Sequence, residues 1–390
     1  MSRLTTTLSH YWDKIQASLF PWLAEELDPL TEKQQQLVEI LELVRVEQFL
    51  TDLIGCEGRP PKTRSAIARS FIAKMIYNMN STVALIERLK TDKNMRRICG
   101  WESLRQLPSE STFSRAFAEF AETSLPQRTH DALIAKTLSG EVISHNSRDS
   151  TAIAAREKPC TKSDVKSASN DKPNLETPAK KKKGLPKKGQ KKSPPEPTRI
   201  EKQKTMSLEE MLNDLPKACN KGAKKDSKGN TMYWTGYKLH MDTVDGGIPV
   251  SALVTSASLN DSQVAIPLAT LTAQKITSCY DLMDAGYDVD AIAEHSRSLG
   301  HVPLIDKNPR RDQKLQRELK AENLARRNLN FTFPEELRYN ERTTAERANA
   351  RLKDEFGANK LRVRGHAKAA CHLMFGVLVL AADQLMKLAT

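Results

Sequence analysis

Cysteine is scarce in this chain, and no apolar run in it is long enough to cross a bilayer. The six cysteines (Cys56, Cys99, Cys160, Cys219, Cys279 and Cys371) are widely scattered, with no C-x-x-C pair and no histidine at metal-site spacing. This pattern argues against a disulfide framework or a zinc cluster and predicts free thiols in a reducing cytoplasm. The longest apolar stretch, Ala369 to Ala382, holds 14 residues with His372 and Gly376 inside it, whereas a spanning helix needs roughly 20. It reads as a buried helix, and no membrane partner is expected. Met1 to Leu27 mixes Trp12, Asp13, Lys14, Trp22, Glu25 and Glu26 among its apolar residues, so it lacks the continuous apolar core of a secretion signal.

What is present is a long, basic, ordinary globular chain. Its 390 residues, 39% of them apolar, can bury the cores of two or three domains. A formal charge of +13 and a pI near 9.4 make nucleic acid the leading partner, because Lys and Arg gain free energy by displacing counterions from phosphates. A membrane surface is the rival reading.

The first 139 residues read as an all-helical, DNA-binding domain. Thr31 with Gln34 forms a capping box, and Leu37, Ile40, Leu41, Leu43 and Val44 follow with helical spacing. A second helix is expected over Arg64 to Tyr77. A third starts near Ser109 and places Phe113, Phe117 and Phe120 on one face, away from Arg115. Arg64, Arg69, Lys74, Arg88, Lys90, Lys93, Arg96, Arg97 and Arg115 make this block basic enough to touch DNA, for example through a helix-turn-helix. Basic helical bundles without DNA are equally common.

The stretch 156–205 differs in kind. From Arg156 to Lys204 it carries 16 Lys and Arg against 6 Asp and Glu, seven prolines and almost no large apolar residue. Such a composition predicts a disordered insert that forms no core. As a flexible polycation it would suit DNA phosphates; as a solvated loop it would need no partner.

Beyond Met232 the pattern changes to strands alternating with helices. Tyr233 to Thr243 and Ile248 to Ser256 form a hairpin about Asp245-Gly246-Gly247. A helix over Asp261 to Gln274, a strand over Ser278 to Met283, a helix over Ala291 to Leu299 and a strand over His301 to Ile305 follow. Arg338 to Phe356 reads as one long charged helix. With Gly140 to Ser147 as the first strand, the order is that of an RNase H-like domain: a mixed five-stranded sheet flanked by helices, occupying 140–390 around the insert.

Phosphodiester cleavage needs divalent ions, and a Mg²⁺ pair is held mostly by Asp and Glu oxygens. Asp149 follows the first strand and Asp284 ends the fourth; either alone would more often be a turn or cap residue. Tyr339, Arg342, Glu346 and Lys353 stand at Y-x2-R-x3-E-x6-K spacing, which in a continuous α-helix places all four within about 60°. Ala345, Ala348, Leu352 and Phe356 form an adjacent apolar stripe that would seat the helix. A surface i, i+4 ion pair explains Arg342 with Glu346 unaided, but not Tyr339 or Lys353. Alternation of the fourth strand puts Asp281 on the face opposite Asp284, and Asp288 reads as the N-cap of the next helix.

The run from Tyr339 through Lys353 resembles the insertion-sequence DDE transposases, which carry a Tyr, Arg, Glu, Lys pattern around their last catalytic acid. Asp149-Ser-Thr, Gly236-Tyr-Lys-Leu-His240, Ala257-Ser-Leu-Asn-Asp261 and Asp284-Ala-Gly-Tyr-Asp288 extend the likeness over about residues 140 to 366. Leu107-Pro-Ser-Glu-Ser-Thr-Phe113 resembles the preceding helical domain more loosely. The insert is longer and richer in lysine than this family leads one to expect. The resemblance implies that Asp149, Asp284 and Glu346 are catalytic and bind two Mg²⁺ ions, with Mn²⁺ as a substitute. It implies that Tyr339, Arg342 and Lys353 lie against the DNA backbone. It further implies a bacterial cytoplasmic, nucleoid-associated protein acting on double-stranded DNA, both element ends and target; a homodimer on DNA is compatible with it. Two alternatives stay open at this point: a metal nuclease of the same fold without strand transfer, and a catalytically idle DNA-binding descendant.

Overall fold

The computed structural model describes residues 29–50, 63–160, 197–225, 229–310 and 312–389. The Met1 to Leu27 reading and most of the basic insert fall outside the described residues. The chain begins with α1 (Glu32–Val44), α2 (Arg64–Ile76), α3 (Thr82–Thr91), α4 (Lys93–Ile98), α5 (Glu110–Glu122) and α6 (Leu125–Leu138). The Thr31 capping box forms as expected: Gln34 N donates to Thr31 Oγ1 at 3.4 Å, and Thr31 N donates to Gln34 Oε1 at 3.0 Å. The apolar face of α1 is buried, as are Phe113, Phe117 and Phe120 of α5. Not all the cations expected to face DNA are exposed and unpaired with a neighbouring acid. Lys74 is buried, and burial, with Arg362 nearby, lowers its ammonium to about 8. Arg64, Arg69 and Arg88 pair with Glu119, Glu47 and Asp92. Lys90 and Arg115 remain exposed.

The α/β part contains β1 (Val142–Ala155), β2 (Asn220–Lys225), β3 (Thr231–Val244), β4 (Ile248–Ser256), β5 (Thr277–Met283), β6 (Val302–Ile305) and β7 (Lys360–Leu361). Its central order is β4-β3-β1-β5-β6. β3 runs antiparallel to β1 and β4, while β5 is parallel to β1 and β6. This is the RNase H-like arrangement, with two strands beyond the five expected: β2 pairs with the first half of β3, and β7 with the end of β1. The β3–β4 turn uses Gly246 and Gly247 at φ 79° and 78°, a left-handed region that disfavours a side chain.

Two expectations need correction. The first strand does not stop at Ser147; it continues to Ala155, so Asp149 lies inside it. The polar run after Ser147 hid a strand whose backbone is paired along β3 from Asn146 to Ala154. The stretch 156–205 also contributes to a core at its end. Thr198 and Glu201 form a capping box that starts α7 (Arg199–Gln203), followed by α8 (Leu208–Asp214). Ile200 packs with Met211, Ile266, Tyr287 and Ile292, and Arg199 is held by Asp214 at 2.6 Å and Gln263 at 2.8 Å. Averaging the composition over fifty residues concealed this short local signal.

Helices α9 (Ala265–Ala273) and α10 (Asp290–Ser298) cover one sheet face. On the other lie α13 (Thr343–Asp354) and α14 (His366–Ala389), while α11 (Gln313–Asn328) and α12 (Pro334–Tyr339) stand between β6 and α13. α14 is 24 residues long, more than the apolar stretch alone implied. By length and composition it could span a bilayer, but 89% of its apolar window is buried inside the protein. It packs against α1, α2, α5, α6 and β4, with Phe375 stacked on Phe71 and Phe117 at 5.9 and 6.4 Å. The amino-terminal helices and the sheet therefore share one hydrophobic core.

Candidate active site

The parallel register of β1 and β5 brings two of the expected acids together. Ser147 pairs with Leu282 and Arg148 with Met283, so one step further along the strands Asp149 stands beside Asp284. Alternation places both on the face toward α13. Asp281 and Met283 fall on the opposite face, where Asp281 is buried against Asn146 and His301. Asp284 begins a single 3₁₀ turn, and its Oδ1 accepts from Gly286 N at 2.8 Å.

The third acid arrives on α13, seated by Ala345, Ala348, Leu352 and Phe356, all at most 3% exposed. Arg342, Glu346, Asn349 and Lys353 follow at i, i+4, i+7 and i+11. An open cleft of about 460 Å³ is lined by Asp149, Asp284 and Glu346 together with Lys224, Arg342, Asn349 and Lys353. Glu346 is 53% exposed and paired with Arg342 at 2.7 Å, as the surface-pair reading required. Asn349 Nδ2 donates to Asp149 Oδ2 at 3.0 Å.

The charges in the cleft influence one another. Burial raises the Asp149 pKa and Asp284 adds to the rise, against the Ser150 amide, Lys224 and Asn349. Burial and Lys224 lower that of Lys353. Burial opposes the Arg342 charge, but Tyr339, Glu346 and Asp149 outweigh it and hold the guanidinium up.

Tyr339 does not join this lining. The run from Arg338 to Phe356 is not one continuous α-helix: a 3₁₀ turn at Asn340–Arg342 separates α12 from α13. At about 120° per residue instead of 100°, three such residues shift the phase by roughly 60°. Tyr339 instead donates to Asp306 Oδ2 at 2.8 Å, with its ring 5.6 Å from the Arg342 guanidinium. Asp288 is likewise not the N-cap of α10. Val289 holds that position without a side-chain cap, and Asp288 Oδ2 accepts from Asn308 N at 2.9 Å. A loop contact twenty residues away competes successfully with the local cap.

Sequence reasoning missed Asn349 and Lys224. Asn349 was findable, three residues after Glu346 and four before Lys353. Lys224 lies on β2, in a lysine-rich stretch with no periodic signal.

Among the described residues, no group of three or more His, Cys, Asp and Glu side chains is gathered closely enough to hold a metal; Glu346 is engaged with Arg342. The donors nevertheless fit a hard divalent cation in kind. They are carboxylate oxygens, as Mg²⁺ and Mn²⁺ prefer, and burial, with Asp284 adding to it, disfavours the Asp149 charge, a cost that a bound cation would offset.

A sheet with Asp149 on β1, Asp284 just past the end of the parallel strand β5 and Glu346 on a covering helix belongs to the RNase H-like class of folds. The family model described as Transposase DDE domain matches residues 176–381, and a second, described as Transposase domain (DUF772), matches residues 24–119. The chain belongs to the DDE transposases. The DDE match includes Asp284, Tyr339, Arg342, Glu346 and Lys353 and begins after Asp149. Proteins of this family generally use divalent metal ions. No curated protein and no solved structure matches the chain.

Proposed function

We propose that this transposase cuts DNA at the ends of an insertion sequence and joins the freed 3′-OH to target DNA, with Asp149, Asp284 and Glu346 as its catalytic metal ligands. The observation that carries the reading is the convergence on one cleft of three acids from β1, the end of β5 and α13. Divalent ions, when bound, activate the attacking oxygen and stabilise the leaving one. The chain's own residues do the rest. Asp149 and Asp284 present oxygens side by side, and Glu346 turns from Arg342 to complete the set. That exchange frees the Arg342 guanidinium for a DNA phosphate, where Lys353 and Lys224 add charge. Tyr339, braced by Asp306, supports Arg342 at the edge of this surface. The amino-terminal helices contribute further DNA contacts through Lys90 and Arg115, and the protein works in the cytoplasm at the nucleoid, as a homodimer on DNA.

The test is a labelled duplex carrying an element end, incubated with Mg²⁺ and examined for nicked and then joined products. Asp149→Asn, Asp284→Asn and Glu346→Gln should each abolish cleavage while DNA binding persists. A variant that cuts at the normal rate would remove that residue from the site; cutting without joining would reduce the function to that of a nuclease.

A further inference from the structure

The strand that carries Asp149 and the helix that carries Glu346 are linked through Asn349. This residue is 5% exposed, one turn beyond Glu346, and its Nδ2 donates to Asp149 Oδ2 at 3.0 Å. An ionised carboxylate only accepts hydrogen bonds, so the amide must present nitrogen to Asp149 and turn its oxygen away. That oxygen is buried without a donor. The side chain thus keeps an orientation dictated by Asp149 while its own acceptor goes unsatisfied, an arrangement uncommon in protein interiors.

We propose that Asn349 is a positioning residue of the metal site: it tethers the Asp149 carboxylate to α13, so that the first and third acids meet a bound ion in one geometry. The proposal rests on the metal-site reading above. Hydrogen bonds from outside the ligand set orient ligating carboxylates, and their loss lowers metal affinity by about 10- to 100-fold. Without Asn349, the Asp149 carboxylate keeps the Ser150 amide but loses its link to α13, and α13 loses a contact one turn from Glu346.

The experiment is a calorimetric titration of the full chain with Mn²⁺, accompanied by the Mn²⁺ electron paramagnetic resonance spectrum. Asn349→Leu keeps similar bulk without a donor; Asn349→Gln keeps the donor. Affinity should fall about tenfold or more in Asn349→Leu, with an altered spectrum, and Asn349→Gln should recover much of it. If Asn349→Leu does not fold, Asn349→Ser, too short to reach Asp149, takes its place. Unchanged affinity in the variant lacking the tether, or equal losses in it and in Asn349→Gln, would overturn the proposal. Asp149→Asn is the control. Loss of Mn²⁺ there but not in Asn349→Leu sinks this inference alone, whereas wild-type affinity in Asp149→Asn sinks the metal site itself.

Discussion

Arg148, the residue before Asp149, is 1% exposed and donates to both oxygens of Asp242, at 2.8 and 2.7 Å. Asn146 bridges Asp242 and Asp281 at 3.2 and 3.1 Å, and His301 Nδ1 lies 3.2 Å from Asp281. This buried cluster ties β1, β3, β5 and β6 together behind the face that carries Asp149 and Asp284. Burial works against the Asp281 charge, but the His301 hydrogen bond and the Arg148 charge outweigh it and hold the carboxyl at about 2. A folded pKa below the unfolded value near 3.9 contributes stability above about pH 4, and that stability is lost as the pH falls toward 2. Asp281→Asn should therefore destabilise the protein at pH 7 by about 3 to 5 kcal/mol, the usual effect of removing one partner from a buried charge cluster. The difference from wild type should narrow between about pH 4 and pH 2. Denaturant unfolding at stepped pH measures it; a constant difference would show that the carboxylate charge is not responsible.

At the scale of elements, the placement of Glu346 depends on how α13 meets α14. A Cβ at Gly376 would lie 2.8 Å from the Phe356 carbonyl oxygen and 3.1 Å from Leu352 Cδ1, so the helices approach at a distance that only glycine allows. Asp383 of α14 accepts from Gln36 of α1 at 2.6 Å and from Arg351 of α13 at 2.8 Å, linking the amino-terminal helices to the helix that carries the third acid. Gly376→Val should push the end of α13 outward and destabilise the protein by about 1 to 3 kcal/mol, although valine is the better helix former. Thermal unfolding gives the stability, and DNA cleavage should fall with it. An unchanged melting temperature would mean that the contact relaxes freely. The apolar stripe of α13 was legible in the sequence because it repeats within one helix. The 3₁₀ turn before it was not, and it takes Tyr339 out of the cleft lining and onto Asp306, still beside Arg342.

At the scale of the whole molecule, residues 161–196 carry eleven lysines against four acids, about half of the chain's net charge of +13. Each phosphate contact contributes about 0.9 to the slope of log K against log salt, so deleting this segment should flatten the slope by as much as about 6. Binding to nonspecific duplex across a salt series checks this. An unchanged slope would show that the segment stays off DNA. Since the amino-terminal helices and the sheet share their core through α14, cutting the chain near residue 139 should leave neither part independently stable. Expression of the two halves, followed by amide hydrogen exchange, would show it.

The sequence by itself determined the order of the five central strands and of the helices α9 and α10 between them, the amphipathic faces of α1, α5 and α13, and the candidacy of three acids. These depend on periodicity and capping, which act over a few residues. Only the tertiary structure decided that Asp149 sits within a strand, beside Asp284. It also turned Glu346 toward Arg342 in the free protein and brought Lys224 and Asn349 into the cleft. The Asn349–Asp149 bond joins residues 200 positions apart. Contacts at that separation follow from sheet register and helix docking, and neither leaves a repeating mark in the local sequence.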